Sequence, residues 1–255
     1  MIVNLHTHTA RCRHAVGAEE AYVLRAIEGG LQTLGFSDHT PFWFPGDYYS
    51  TMRMFPEELT EYVSDVRRLQ EKYASRLNIR LGLEVEYYPA LVPEVLARAK
   101  DMGIEYFLLG QHWCGNEMDE PYNGRPTAEE YHLEKYCNQV IDAMHTGLFT
   151  YLAHPDLLYF VGEDHIYQHH MRRLCRAAKE CDMPLEINLL GLRENRQYPR
   201  QLFWELAAEE GCTVVLGSDA HRPQDVVDSI TEEKAMTIIR QLALNYLETP
   251  LIRKI

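Results

Sequence analysis

Three histidines near the start of the chain have residue types and spacing suited to metal binding. His6 and His8 flank Thr7 at the end of a short apolar run, and His14 follows six residues after the pair. Because side chains alternate between the two faces of a β-strand, both imidazoles of the pair lie on one face. A single metal ion is then within reach of both rings. Taken alone, the pair is equally consistent with a polar strand end.

Further histidines and carboxylates follow other apolar runs of strand length. Seven of the twelve histidines occur within a few residues of the C-terminal end of such a run. The residues with possible ligand atoms at these ends are His6, His8, His14, Asp38, His39, Glu84, Glu86, His112, His154, Asp156, Asn188, Asp219 and His221. In a barrel of parallel strands these ends converge on one face, where active sites of this architecture form. Burying so many ionisable groups together is costly unless they are paired or bound to metal, which favours a shared site.

The number and type of these side chains predict a centre with more than one metal ion. Imidazole and carboxylate donors without thiolates suit zinc, manganese or iron. One ion takes about four to six donors, fewer than the chain supplies, and Glu84 or Asp219 can bridge two ions. We therefore expect two or three divalent metal ions. Adjacent ions generate a hydroxide near neutral pH and hold the oxygens of a phosphoryl group, which favours phosphate ester hydrolysis.

Alternating strands and helices must position these residues. Apolar runs of strand length alternate with amphipathic helical stretches, a pattern typical of a parallel sheet wound with helices. The predicted strands are Ile2 to Leu5, Leu34 to Ser37, Ile79 to Val85, Tyr106 to Gly110, Thr150 to Ala153, Leu185 to Asn188 and Thr213 to Gly217. An apolar stripe between Leu59 and Tyr73 recurs at helical spacing and is expected to face the core. No linker or internal repeat divides the sequence, so residues 1–255 are predicted to form a single α/β domain.

The overall composition narrows the class of partner. The formal net charge is -13 with histidine neutral, and no run of lysine and arginine is present. The chain therefore lacks the basic surface that a sequence-independent grip on nucleic acid requires, and an anionic substrate would need a local positive centre such as metal ions. The six cysteines include no C-x-x-C pair and are interpreted as reduced thiols. No membrane span or signal peptide is recognised, so we expect a cytoplasmic protein, and the sequence leaves its oligomeric state open.

The same residues, taken in order, resemble the PHP (polymerase and histidinol phosphatase) family, and within it the histidinol-phosphate phosphatases. The resemblance spans essentially the whole chain. It rests on His6-Thr-His8, Cys12-Arg-His14-Ala, Ser37-Asp38-His39-Thr-Pro, Glu84, His112, Ala153-His154-Pro-Asp156, Glu186-Ile-Asn188 with Gly191-Leu-Arg193, and Ser218-Asp219-Ala-His221. It implies a distorted (β/α)7 barrel with a trinuclear metal centre at the C-terminal ends of the strands.

The resemblance also implies a division of the ligands among three ions. The first ion would be held by His6, His8, Glu84 and Asp219. The second would be held by Glu84, as a bridge, with His112 and His154. The third would be held by His14, His39 and His221. Glu84, Asp219 and His221 are expected to take part in catalysis as well as in metal binding.

Residues around the metal ligands are predicted to orient them or to bind substrate. Asp38 and Asp156 are expected behind the ligands, where a carboxylate commonly orients a ligating imidazole. Arg193 resembles the family's phosphate-binding arginine, and a guanidinium fork suits two phosphate oxygens. The candidates for a second phosphate contact are Arg53 and Arg196. Trp43 belongs to a long aromatic connection, residues 40–56, which could either stack on a flat imidazole ring of the substrate or pack on the barrel rim.

These features predict a metal-dependent phosphomonoesterase with a small phosphorylated substrate. The resemblance implies hydrolysis of L-histidinol phosphate, a step of histidine biosynthesis, by attack of a metal-bridging hydroxide. One alternative is a PHP phosphoesterase acting on nucleotides, cyclic phosphates or phosphotyrosine. An amidohydrolase also has His-x-His after its first strand, but its pattern ends in a lone aspartate after an eighth strand, whereas this chain ends with Asp219-x-His221 after the seventh. A non-catalytic metal-binding module would show gaps in the ligand set, and none is found.

Overall fold

A computed structural model describes residues 1–255 as one parallel sheet with helices between its strands. The eight strands pair with one another in sequence order. They are β1 (Val3–Asn4), β2 (Thr33–His39), β3 (Asn78–Val85), β4 (Tyr106–Leu109), β5 (Phe149–Leu152), β6 (Leu185–Asn188), β7 (Thr213–Gly217) and β8 (Asn245–Tyr246). Every neighbouring pair is parallel, so the C-terminal ends of all strands point the same way. The predicted α/β architecture is confirmed.

Eight α-helices connect the strands. They are α1 (Glu19–Glu28), α2 (Leu59–Tyr73), α3 (Val92–Asp101), α4 (Glu130–His145), α5 (Asp164–Glu180), α6 (Leu189–Glu194), α7 (Gln201–Glu209) and α8 (Ser229–Gln241). In α2 the buried residues recur every three or four positions, because one face of the helix packs on the sheet. They are the residues of the predicted stripe, namely Leu59, Tyr62, Val63, Val66, Leu69 and Tyr73.

The first and seventh strands meet at the C-terminal end of the sheet. Thr7, just beyond β1, forms a parallel bridge with Ala220, just beyond β7. His8 N donates to Ala220 O (3.0 Å), and Ala220 N donates to His6 O (3.3 Å). The first two residues of β7 pair with β8 instead. The sheet is therefore curled into a distorted barrel whose first and seventh strands join at the end where the predicted metal ligands lie.

Strand β8 is the element that the sequence does not reveal. Its two residues, Asn245 and Tyr246, are exposed or half-buried and do not form the apolar run that marks a buried parallel strand. The other seven strands agree with the predicted ones to within two residues at each end. None of the helices combines the length and the hydropathy that crossing a membrane requires.

Candidate metal centre

All nine predicted metal ligands lie together at the C-terminal end of the barrel. They follow β1 to β5 and β7, or lie at the end of these strands, and are His6, His8, His14, His39, Glu84, His112, His154, Asp219 and His221. The ring of His8 is central among the imidazoles. Its centroid lies 4.2 Å from that of His221, 4.4 Å from that of His39 and 5.1 Å from that of His6. The predicted convergence of strand ends thus produces one compact cluster.

Glu84, at the end of β3, presents its carboxylate to five imidazoles. The residue is buried, with Oε1 2.9 Å from His154 Nε2 and Oε2 3.0 Å from His39 Nδ1. Three more Nε2 atoms lie 3.6 to 3.7 Å from the same carboxylate, those of His6, His8 and His112. Burial would raise the pKa of this carboxyl, but the histidines, with His112 foremost, hold it well below its usual range. Glu84 therefore stays ionised at the centre of the cluster.

Asp219 supplies a second central carboxylate. Its Oδ1 lies 3.1 Å from His8 Nε2 and 3.6 Å from His6 Nε2. Burial opposes ionisation of Asp219, but the histidines hold its pKa well below the usual range, and His6 makes the largest contribution. Asp219 (φ 47°) and His154 (φ 31°) both adopt the positive φ that non-glycine residues rarely adopt. Such conformations persist where the surrounding structure holds them, and they cluster at functional sites.

Several buried polar atoms of the cluster have no hydrogen-bond partner within the protein. Six atoms of the predicted ligands are buried without a hydrogen-bond partner, namely His6 Nε2, His8 Nε2, Glu84 Oε2, His154 Nδ1, Asp219 Oδ1 and His221 Nε2. An unpaired buried polar atom costs about 1–3 kcal/mol, so six in one place favour a common partner. Ligand atoms of three residues at a time lie within 4.8 Å of one another, as in His6 with His8 and Asp219, or His14 with His39 and His221. Because these donors suit divalent transition metals, the residues fit a metal centre.

Burial and neighbouring charges shift the pKa values of the histidines in the cluster in different directions. Burial lowers the pKa of His39 and His221 well below the usual value, so these rings are neutral and can donate a lone pair to a metal. At His8, burial also lowers the pKa, but the adjacent carboxylates of Asp219, Asp38 and Glu84 outweigh this effect and raise the pKa to about 9. In the absence of a metal cation, protons on such rings balance the buried carboxylates.

Behind His6, a carboxylate of β6 fixes the imidazole ring. Glu186 Oε1 lies 2.8 Å from His6 Nδ1, which leaves His6 Nε2 facing the centre of the cluster. Glu186 Oε2 accepts hydrogen bonds from His154 N (3.0 Å) and Asn188 Nδ2 (2.9 Å). These residues are all buried. No role for Glu186 was predicted from the sequence, although a glutamate within an otherwise apolar strand was a signal that could have indicated one.

Behind His112, a carboxylate beyond β3 has the same function. Glu86 Oε1 lies 2.9 Å from His112 Nδ1. Arg53 donates two parallel hydrogen bonds to Glu86, from Nη1 to Oε2 and from Nη2 to Oε1, both 2.9 Å long. Arg53 also pairs with Glu117 and donates to Thr40 O. The Arg53 guanidinium is therefore engaged within the protein, although the sequence made it a candidate phosphate ligand.

Two glycines make room for the central carboxylates. A Cβ atom at Gly110, just beyond β4, would lie 2.0 Å from Glu84 Oε1. A Cβ atom at Gly217, at the end of β7, would lie 1.7 Å from Glu186 Oε1. Both distances are far shorter than van der Waals contact, so any larger residue at these positions would displace the carboxylate.

The two aspartates expected behind the ligands have different surroundings. Asp38 Oδ1 lies 3.4 Å from His8 Nδ1, as expected for a carboxylate that orients a ligating imidazole. Asp156 instead accepts a hydrogen bond from the backbone N of Arg200 at the start of α7. Burial raises the pKa of Asp156 to about 7. Asp156 forms no hydrogen bond or ion pair with a histidine of the cluster. Its side chain instead stabilises the loop before α7.

A cavity of about 350 Å³ adjoins the cluster. Seven of the nine ligands line it, together with the rings of Trp113, Tyr122 and Tyr198. Its charged residues outside the cluster are Glu194, Arg196, Arg222 and Asp225. Its volume falls at the lower end of the range for small-molecule sites, roughly 300–1,000 Å³. The cavity thus combines the metal ligands with aromatic rings and charges of both signs.

Of the four residues predicted to bind substrate, Arg196 lines this cavity, whereas Arg193, Trp43 and Arg53 do not. Arg193 donates to Ser218 O (3.2 Å), and its Nε lies 3.5 Å from Asp225 Oδ1. The guanidinium carbon of Arg98 lies 4.1 Å from the centroid of the Trp43 ring, so this ring packs against Arg98, in agreement with the rim-packing alternative. Arg53 is buried and its charge is already paired with Glu86 and Glu117. We therefore do not include Arg53 and Trp43 among the substrate contacts, because their side chains are already engaged with other parts of the protein.

The sequence is similar to known proteins over most of its length. The family model for the PHP domain matches residues 4–189. A Deinococcus radiodurans protein named "Probable histidinol-phosphatase" is 32% identical over 232 residues, which cover 87% of this chain and 86% of that protein. A Schizosaccharomyces pombe protein of the same name is 27% identical over 257 residues, with coverage of 89% and 82%.

The fold is similar to that of a solved enzyme. The crystal structure of histidinol phosphate phosphatase from Lactococcus lactis, complexed with zinc, L-histidinol and phosphate, superposes with a TM-score of 0.74. It covers 99% of this chain and 98% of its own length at 20% identity. This likeness supports the barrel fold, and the family model matches well over half of the sequence. The chain therefore belongs to the PHP domain family.

Proposed function

We propose that this chain is a metal-dependent phosphomonoesterase that hydrolyses L-histidinol phosphate to L-histidinol and inorganic phosphate. The observation that carries the proposal is the cluster of nine histidines and carboxylates, whose unpaired buried atoms adjoin one cavity. Phosphoryl transfer is a common chemistry for such clusters. The choice of substrate is supported by the names of the Deinococcus and Schizosaccharomyces relatives and by the L-histidinol and phosphate in the Lactococcus enzyme.

The ligand set fits two or three divalent ions. In the proposed division, the first ion is held by His6, His8, Glu84 and Asp219. The second is held by Glu84, His112 and His154, and the third by His14, His39 and His221. Zinc is the first candidate because the Lactococcus enzyme binds it, and manganese and iron suit the same donors. Bound ions would supply positive charge to the phosphoryl oxygens and lower the pKa of a water molecule.

The protein's own charges prepare the centre for this role. Glu84 and Asp219 stay ionised, since the pKa of each is held well below its usual range, and they provide the negative charge that attracts cations. Glu186 and Glu86 each accept a hydrogen bond from the Nδ1 of a histidine, so that His6 and His112 present Nε2 to the centre. Preorganised ligands of this kind need no rearrangement when the substrate arrives.

The remaining charges of the cavity suit a substrate that carries both signs. Arg222 follows His221 and lines the cavity, where its guanidinium is placed to bind phosphate oxygens. Arg196 is paired with Glu194, which leaves it less available. Glu194 and Asp225 also line the cavity, and each would share its carboxylate between its arginine partner, Arg196 or Arg193, and the ammonium group of an amino alcohol. An amino-alcohol phosphate therefore matches the cavity better than a polyanionic nucleotide does.

A substrate comparison tests this assignment. The metal-loaded enzyme is assayed with L-histidinol phosphate, p-nitrophenyl phosphate, AMP and phosphotyrosine at equal concentrations. We expect the highest kcat/KM for L-histidinol phosphate. Comparable or higher values for AMP or phosphotyrosine would overturn the substrate and leave the reaction class intact, whereas no hydrolysis of any ester would overturn the class.

A single variant tests the phosphate contact. Arg222→Ala is expected to lower kcat/KM by about 10- to 100-fold, because a charge-assisted hydrogen bond contributes about 1.5–3 kcal/mol. Arg68→Ala is the matched control, since Arg68 is an exposed arginine of α2 that pairs only with Asp65. Equal activity of the two variants would show that Arg222 does not contact the phosphate.

A further inference from the structure

Arg53 is a buried cation whose five N–H donors are all engaged. Its Nε donates to Glu117 Oε2 (2.9 Å), and its Nη1 donates to Thr40 O (3.0 Å) and Glu86 Oε2 (2.9 Å). Its Nη2 donates to Glu86 Oε1 (2.9 Å) and to Glu117. Five is the full donor capacity of a guanidinium, so none remains for a ligand.

This one side chain joins three segments of the protein. Arg53 and Thr40 belong to the connection of residues 40–56, Glu86 follows β3, and Glu117 lies in the connection after β4. The guanidinium carbon also lies 5.1 Å from the ring centroid of Phe42 and 5.8 Å from that of Trp113. A cation over these rings adds attraction to the ion pairs.

Glu84 and Glu86 are close together in the sequence but have different partners. Glu84 and Glu86 are two residues apart, and both are buried. Glu84 faces the imidazoles of the cluster, whereas Glu86 is bound by the Arg53 fork. Glu86 Oε1 accepts hydrogen bonds from both Arg53 Nη2 and His112 Nδ1, each 2.9 Å long. The position of the His112 ring is thus set by a carboxylate that Arg53 holds.

We propose that Arg53 is a positioning residue of the metal centre, which acts through Glu86 to aim His112 Nε2 at the centre. The geometry of the chain supports this: His112 Nε2 lies 3.7 Å from Glu84 Oε1, while its Nδ1 is held from behind. The inference rests on the proposed metal-dependent function. According to this inference, the connection of residues 40–56 contributes to the metal centre through Arg53. The exposed aromatic residues of the same connection lie outside the cavity.

A purely structural role of Arg53 would have different consequences from a role at the metal centre. If Arg53 only anchors the connection of residues 40–56, any loss of anchoring should have the same effect as loss of Arg53. Arg98 provides the matched control, because its guanidinium also packs on this connection, over Trp43, but does not contact Glu86. Loss of Arg98 should loosen the connection and leave His112 in place.

The experiment measures zinc binding separately from activity. Zinc stoichiometry by mass spectrometry and stepwise affinities by chelator competition are compared for wild type, Arg53→Lys and Arg98→Met. Lysine keeps the charge but cannot form the two-pronged contact with Glu86. A third variant, Arg53→Met/Glu117→Gln, removes one cation and one carboxylate, so the buried network keeps its net charge. Circular dichroism and thermal melting show which variants are folded.

We expect the affinity for one zinc ion to fall by about 10- to 100-fold in both Arg53 variants, as is typical when the partner of a ligating histidine is lost, while the other ions bind as in wild type. Arg98→Met should bind zinc as wild type does. Wild-type affinity in a folded Arg53 variant, or an equal loss in Arg98→Met, would overturn the proposal. Failure of wild type to bind zinc or to hydrolyse phosphate esters would instead overturn the proposed function.

Discussion

On the β6 side of the cluster, His6 is held by Glu186, a carboxylate of the sheet itself. On the β4 side, His112 is held by Glu86, and the partner of Glu86 is Arg53, which belongs to a loop. Glu186 bonds to His6 Nδ1 and to the backbone of His154, so its contacts stay within the barrel. Glu86 bonds to His112 Nδ1 and depends on Arg53 for neutralisation. The carboxylate behind the histidine is therefore supported by the sheet on one side and by a loop on the other.

The difference shows that both the barrel strands and a loop fix the carboxylates that orient the histidines of this site. The position of Glu186 is set by strand pairing between β6 and β7, which cannot change without disrupting the sheet. The position of Glu86 depends on the connection of residues 40–56, which can differ without any change in the sheet. We expect damage on the β6 side to affect folding and metal binding together, and damage on the β4 side to affect mainly metal binding.

Glu186→Ala should have the largest effect. It removes the acceptor for His6 Nδ1, His154 N and Asn188 Nδ2, and each unpaired buried donor costs about 1–3 kcal/mol. We expect a loss of several kcal/mol in the free energy of unfolding, measured by urea denaturation, together with loss of most bound metal. A stable variant with a full complement of metal would contradict the rigid support of His6.

Gly217→Ala should damage the same side without removing any polar group. The added methyl would lie 1.7 Å from Glu186 Oε1 and must push this carboxylate away from His6. We expect destabilisation of about 1–3 kcal/mol, the usual effect of overpacking, and weaker metal binding by chelator competition. Val214→Ala in the same strand serves as a control, because it shortens a buried side chain of the main hydrophobic core and pairs with Leu185 rather than with Glu186. It should destabilise the protein while metal affinity is kept.

Removal of the metal should make stability fall in alkaline solution. The pKa of His8 is raised to about 9 in the folded chain, above its value of about 6.5 in an unfolded one. Its contribution is therefore fully present below about pH 6.5 and lost as the pH rises through about 9, on the order of 1 kcal/mol per pH unit. Thermal melting of chelator-treated protein from pH 6.5 to 9.5 should show this decline. His8→Asn should reduce it, and an unchanged slope in that variant would contradict the assignment.

Trp43→Ala should have the smallest effect on catalysis. The ring lies outside the cavity and packs against Arg98, so we expect KM for L-histidinol phosphate to change by less than about twofold, as for surface substitutions in general. Steady-state kinetics measure this. An increase in KM of tenfold or more would favour the alternative in which the tryptophan stacks on the imidazole ring of the substrate.

The part of this site that the sequence predicts is the part fixed by local rules. His6, His39 and Glu84 occur at the ends of apolar runs, and parallel strands bring such ends to one face whatever the details of packing. Strand boundaries follow from the same runs, which is why seven strands were recognised and the polar pair Asn245 and Tyr246 was not.

The support behind the ligands depends on contacts between distant segments, and the sequence alone predicts it poorly. Arg53 is 33 residues from Glu86 and 64 from Glu117, and no spacing rule indicates that these three side chains meet. An arginine in a long loop looks like a free cation until its partners are known. Asp156 follows His154, a proposed metal ligand, by two residues, yet its side chain accepts a hydrogen bond from the backbone just before α7.

The central claim is that His6, His8, Glu84 and the other strand-end residues form one multi-metal centre. The most direct test is the metal content of the purified protein, measured by mass spectrometry after loading with zinc and removal of excess ion, for wild type and His8→Ala. The account predicts two or three tightly bound ions per chain in wild type and at least one fewer in His8→Ala, with little phosphatase activity remaining. Fewer than one ion per chain in active wild-type enzyme, or unchanged metal content in His8→Ala, would contradict it.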